Sequence, residues 1–201
     1  MLLLGFGAAL RRSELVGLCL GDVTVVPGRG VMVRVRRSKT DQQGKGQDVA
    51  IWGNPAALDF CPLMALQAWL DHRRRAADLA PGLGAAAQAE RPLFCAVSKA
   101  GRVSGDPLSD KAVVRLVKQA AAAAGLDPAR YAGHSLRAGL ATAAGDAGAG
   151  LAELMRQIRH QPTAVALGYL RPADLWRNNV TARVFGHTDA RAGSGTEKEG
   201  A

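Results

Sequence analysis

The sequence is short of cysteine, of long apolar runs and of clustered acidic residues, and each shortage excludes something. Its three cysteines, Cys19, Cys61 and Cys95, lie far apart with no C-x-x-C pair. An odd, scattered set argues against a disulfide framework or a zinc site and for a reducing compartment, the cytoplasm. No apolar run reaches 18 residues, so no spanning helix and no membrane partner are expected. The opening MLLLGFGAAL is too broken to be a secretory signal: Gly5 and Gly7 interrupt it, and Arg11 and Arg12 follow it rather than precede it. It reads as a buried helix of a domain whose beginning is missing.

What is present is a globular composition with a basic surplus. Hydrophobic residues make up 48% and charged residues 21% of 201 positions, which suits one domain and a little more. A chain of this length buries about 70% of its unfolded surface, so a core needs no cross-links. Lys plus Arg number 26 against 17 acidic residues, a net charge of +9, and 20 of the 26 are arginine. Arginine's planar fork grips phosphate two bonds at a time, which favours a nucleic-acid partner.

Periodicity predicts a mainly helical α+β fold with a small antiparallel sheet near the N-terminus. A helix over 11–20 continues the apolar face of Leu10 through Leu15 and Leu18, and Gly21-Asp22 ends it. Val23–Val26, Val31–Arg37 and Asp48–Trp52 read as strands, with Val31, Val33 and Val35 inward and Met32, Arg34 and Arg36 outward. Residues 38–47 form a polar loop between the last two. Pro62 opens a helix to about Leu79, Pro81–Ala89 is a connector, and Pro92–Val97 is a further strand. Ser109 caps a helix over Asp110–Ala124 that Gly125 stops. Helices over 135–147, 151–159 and 162–169 follow, then an amphipathic piece over 174–184 and a disordered tail from Thr188. Trp52 and Trp69 are assigned to the core, and Trp176 to docking the last helix.

The polar residues worth isolating are His134 and Arg137, three apart at a helix start, His160 23 residues after Arg137, and Tyr169 nine after that. Arg11 and Glu14 share a face near the N-terminus, and Lys39 sits in the polar loop. Two arginines can clamp the non-bridging oxygens of a phosphodiester as charge spreads over them. A tyrosine hydroxyl is a usable nucleophile if a base or positive field assists it, and a lysine can protonate a departing 5′ oxygen. The chemistry so assembled is metal-free phosphoryl transfer, with no cofactor.

These stretches, Gly7-Ala-Ala-Leu-Arg11-Arg-Ser-Glu14-Leu15, Arg37-Ser-Lys39-Thr-Asp-Gln42, Gly133-His134-Ser-Leu-Arg137-Ala-Gly139 and Met155-Arg-Gln-Ile-Arg-His160 leading to Tyr169, resemble the catalytic domain of a tyrosine recombinase of the phage integrase family. The likeness runs to about residue 185. It implies a site-specific recombinase or integrase that cuts and rejoins DNA through a 3′-phosphotyrosyl link; the alternative is an inactive integrase remnant or a non-catalytic DNA-binding protein on the same scaffold. Arg11 and Arg137 would hold the scissile phosphate, Lys39 would be the general acid, His134 would assist proton transfer, His160 would bind a non-bridging oxygen and Tyr169 would attack. Glu14 would buttress the site through a histidine or arginine. Arg12 competes with Arg11, Lys45 with Lys39 and Tyr131 with Tyr169. Arg12, Arg34, Arg36, Arg37, Lys45, Arg115 and Lys118 are further candidates for double-stranded DNA contacts. His72 is expected on a solvated helix face. The likeness also implies a catalytic domain over 1–187, a tail over 188–201 and a tetramer on two DNA sites.

Three departures from the family's pattern stand out. The preceding core-binding domain and the domain's own first helix are missing from this sequence, which predicts weak DNA binding. Arg159 stands where the family usually has glycine before its second histidine, so it must adopt a strained left-handed conformation or another geometry. Gly168 precedes Tyr169 and weakens that helix by up to about 1 kcal/mol.

Overall fold

A short helix, α1 (Leu2–Gly7), occupies the opening apolar segment, and its glycines are contact points. A Cβ on Gly7 would lie 2.6 Å from Ile51 Cγ2, and one on Gly5 2.8 Å from Leu136 Cδ1. Two neighbours press on this helix from different sides, and only glycine admits both. The computed structural model describes residues 1–37, 45–76 and 84–159. The predicted helices over 162–169 and 174–184, Trp176, Gly168 and the tail lie outside the described residues, as do Lys39, His160 and Tyr169.

After α1 comes α2 (Arg12–Val16), shorter than the predicted helix over 11–20. Gly17 closes it, and the next residues turn away to pair elsewhere. Leu93 N–H donates to Leu18 O at 2.7 Å, and Leu20 N–H donates to Arg91 O at 2.9 Å. Long-range backbone pairing, which local periodicity cannot report, ends the helix early.

Strands β1 (Val23–Val26), β2 (Gly30–Val35) and β3 (Gln47–Trp52) form an antiparallel sheet in that order. Val33 sits opposite Val23 on one side and Val49 on the other. Val31, Val33, Val35, Val49 and Ile51 all point into the core, as the alternation predicts. The same period of two corrects one expectation. With Val49 and Ile51 inward, Trp52 must face outward, and it is 71% exposed.

Helix α3 (Pro62–Arg75) begins at the predicted proline. Trp69 on it does belong to the core region, with its indole N–H on Leu93 O at 2.7 Å. His72 stacks on Trp69 with ring centroids 5.8 Å apart, so it is not simply solvated. Among the described residues, one α-helix and one strand went unpredicted. Helix α4 (Ala85–Ala89) lies in the supposed connector, and strand β5 (Val103–Pro107) pairs with β4 (Cys95–Val97). The β5 sequence, Val-Ser-Gly-Asp-Pro, carries almost no strand propensity, and only its partner makes it a strand.

Helix α5 (Asp110–Ala123) starts where Ser109 Oγ accepts Ala112 N–H at 3.2 Å. Beyond it, Gly125 adopts a φ of +72°. Helices α6 (Ser135–Asp146) and α7 (Leu151–Ile158) complete the described chain. The main core joins Leu4, Leu10, Leu15, Leu66 and Leu93 with the sheet valines and α5. Each such side chain, fully buried, is worth about 1.5–3 kcal/mol. A second, smaller core of Ala9, Ala141, Leu154 and Ile158 fastens α6 and α7 to the end of α1. That junction positions the site.

Candidate active site

The turn from α1 to α2 is the framework of the site. A helix ends with backbone carbonyls that have no intrahelical partner, and α1 is so short that its last carbonyls must be satisfied from outside. Arginines do this. Arg137 Nη1 donates to Ala9 O at 2.9 Å, Arg159 Nη1 donates to Ala8 O at 2.6 Å, and Arg159 Nη2 donates to Ala9 O at 3.2 Å. Ala9 itself has φ +48°, which turns the chain toward Arg11.

Arg11 is the residue before the first turn of α2, and Glu14 is the third residue within it. Glu14 Oε2 accepts the Arg11 backbone N–H at 2.8 Å, the reciprocal half of a helix cap. Glu14 Oε1 accepts Arg11 Nη1 at 2.6 Å. The carboxylate is buried, and Arg159 Nη2 closes on its Oε2 at 2.7 Å. Two guanidiniums therefore share one carboxylate, and the group keeps one net positive charge. Burial lowers the pKa of Arg159 from its ordinary value, and Glu14 pulls it back up.

Arg137 reaches this turn from one helical turn inside α6, while His134 sits exposed at the start of that helix. Arg11, Glu14 and Arg137 are thus brought to one turn, while among the described residues no contact ties the His134 side chain to it. Arg12 points elsewhere, its Nε 3.1 Å from Asp110 Oδ2 on α5. Tyr131 packs against the main core.

The remaining basic candidates divide by what already holds them. Arg34 Nη1 pairs with Asp48 at 3.1 Å, and its Nη2 donates to Lys45 O at 2.6 Å. Arg36 is bound twice over, with Nε on Asp22 at 2.6 Å and Nη1 on Glu90 at 2.6 Å. Bonding to Glu90 and then Asp22 raises the Arg36 pKa, and Arg36 in turn holds Glu90 below the usual carboxylate range. Arg37 and Lys45 are exposed at the ends of β2 and β3. Arg115 and Lys118 are exposed one turn apart on α5.

Sequence reasoning missed two buried arginines. Arg73 is fully buried and donates to the carbonyls of Pro92 and Leu93 at 2.5 and 3.0 Å. Arg159 was met only as an obstacle to the usual glycine. It does take the left-handed conformation, φ 50° and ψ 50°, and its side chain is the part that matters. The available sign was Glu14 itself, because a carboxylate on a buried face needs more than one partner to satisfy its lone pairs.

Residues 1–175 match the phage integrase family. An integrase/recombinase XerD homolog of Selenomonas ruminantium is 35% identical over 186 residues, 92% of this chain and 50% of that protein. Among solved structures, XerH site-specific recombinase bound to its palindromic difH substrate superposes with a TM-score of 0.61 at 17% identity, covering 92% of this chain and 44% of that one. XerA recombinase gives 0.55 at 20% identity, covering 90% and 53%. The Tn1549 transposon integrase in complex with transposon right end DNA gives 0.53 at 19% identity, covering 88% and 57%. The chain spans about half the length of these relatives. Motif order, fold and family match agree, and the chain belongs to the phage integrase family, with the fold of a tyrosine recombinase catalytic domain.

Proposed function

We propose that this chain is the DNA-cleaving and rejoining domain of a site-specific recombinase acting on double-stranded DNA in the cytoplasm. The observation that carries the reading is the convergence of Arg11 and Arg137 on one turn, with Glu14 orienting the first and a net positive charge left over. A pentavalent phosphate spreads charge over its non-bridging oxygens, and two oriented guanidiniums stabilise it.

In this reading the Tyr169 oxygen attacks phosphorus and forms the P–O bond of a 3′-phosphotyrosine while the P–O5′ bond breaks. His134 takes part in moving the tyrosine proton, and Lys39 gives a proton to the departing 5′ oxygen. His160 hydrogen-bonds a non-bridging oxygen. Attack of a 5′-hydroxyl reverses the step and frees the tyrosine, so phosphodiester energy is conserved. Arg12, Arg37, Lys45, Arg115 and Lys118 supply backbone contacts, and four copies meet on two DNA sites. Residues 1–187 make up the catalytic unit.

The test is covalent trapping. Wild type and Tyr169→Phe are incubated with nicked suicide duplexes carrying candidate sites, without added metal, and separated on a denaturing gel. A protein–DNA adduct that needs Tyr169 is the expected result. No adduct on a site that a full-length relative cleaves overturns catalysis by this chain and leaves a DNA binder.

A further inference from the structure

Arg159 has no place in the chemistry just described, yet three observations make it more than filler. Its backbone is left-handed, with φ 50°, a conformation that an arginine keeps only where its surroundings dictate it. Its side chain is 1% exposed. That buried group is spent on the framework of the phosphate clamp, on Ala8 O, Ala9 O and Glu14 Oε2.

The geometry has two consequences. Glu14 is gripped from both ends of its carboxylate, by Arg11 on Oε1 and by Arg159 on Oε2, so its plane and hence the Arg11 guanidinium are set. Without Arg159, Arg11 and Glu14 would form a neutral pair, and of the three guanidiniums at the turn only that of Arg137 would be left uncompensated. On the other side, Ala9 O is shared by Arg159 at 3.2 Å and Arg137 at 2.9 Å, so one side chain touches the anchor of each clamping arginine. Gln157, two residues earlier, pins the same helix end by donating to Gly7 O at 2.7 Å and Ala50 O at 3.1 Å.

We propose that Arg159 is a positioning residue: it touches no substrate, and by holding Glu14 and the Ala9 carbonyl it orients the Arg11–Arg137 clamp and adds to its positive charge. The inference rests on the recombinase reading for its catalytic consequence but not for the coupling between side chains.

The experiment uses the full chain with Arg159→Met, Arg159→Lys, Arg159→Gly, Glu14→Gln and the Glu14→Gln/Arg159→Met double variant. Arginine Nε–Hε resonances report the coupling, with Arg11 and Arg137 assigned from their lysine variants. Single-turnover cleavage of the suicide duplex reports the consequence, at saturating and limiting DNA. In Arg159→Met the Arg11 and Arg137 signals shift and broaden. The saturated cleavage rate falls about 10–100-fold, as for a misplacement of under an ångström, while half-saturation stays within about threefold. Arg159→Lys recovers part of the rate, and the double variant is no slower than its slower parent, because Glu14 and Arg159 act on the same clamp.

A folded Arg159→Met with unmoved Arg11 and Arg137 signals overturns the proposal. So does a loss that falls on half-saturation alone, which would make Arg159 a DNA contact. Should Arg159→Met not fold, Arg159→Gly, whose backbone is at ease in the left-handed region, is read by the same criteria. If wild type forms no adduct, the recombinase reading fails for this chain while the resonances still decide the coupling.

Discussion

Glu14 shows what a single buried charge demands. Its carboxylate is met by two guanidiniums and a backbone N–H, and all three bonds lie between 2.6 and 2.8 Å. Glu14→Ala strands the Arg159 guanidinium in the interior without its counter-charge. Removing one member of a buried pair costs about 3–5 kcal/mol, and urea denaturation is expected to show a loss of that size. Arg36 is the contrasting case. Its partners Asp22 and Glu90 straddle the surface, its own side chain is 44% exposed, and its ties make it a strut between the sheet and α4.

Elements depend on fewer positions than their lengths suggest. At Gly30 the β2 backbone passes so close to β3 that a Cβ would press into the Ile51 carbonyl oxygen and lie 2.6 Å from the Gly53 nitrogen. Both obstacles are backbone and neither can rotate away. Gly30→Ala is expected to cost about 3 kcal/mol, the upper end for overpacking, with the loss visible as a lower urea midpoint. Helix α5 makes the opposite kind of statement: its cap and stop are local, and Ser109→Ala should cost only about 1 kcal/mol. The exposed pair Arg115 and Lys118 on that helix bears on binding instead. If both meet phosphates, replacing them with alanine lowers the slope of log affinity against log salt by about 2 and leaves the melting temperature unchanged. An unchanged slope would remove α5 from the DNA face.

At the scale of the molecule, helices and candidate site interlock through the end of α1. The second core of Ala9, Ala141, Leu154 and Ile158 brings α6 and α7 onto that end, and the arginines of both helices then find its free carbonyls. Packing and site assembly are therefore one event, and a variant that loosens the small core is expected to disturb Arg137 and Arg159 together.

Much of this could be read in advance, because much of it is local. The valine alternation in β2, the Ser109 cap, the proline opening α3 and the ordered motifs around Arg11 and His134–Arg137 each depend on residues a few positions apart, and periodicity reports such relations directly. The motifs were enough to name the family. Most of what remained hidden is non-local. Strand β5 exists because β4 pairs with it, and α2 stops because Leu18 and Leu20 bond to residues 91–93. Arg159 is the sharpest example. As one residue in a string it was a departure from glycine at a helix end. Folding carries it to a carboxylate 145 positions away, and the scarcity of water there turns that departure into an ion pair.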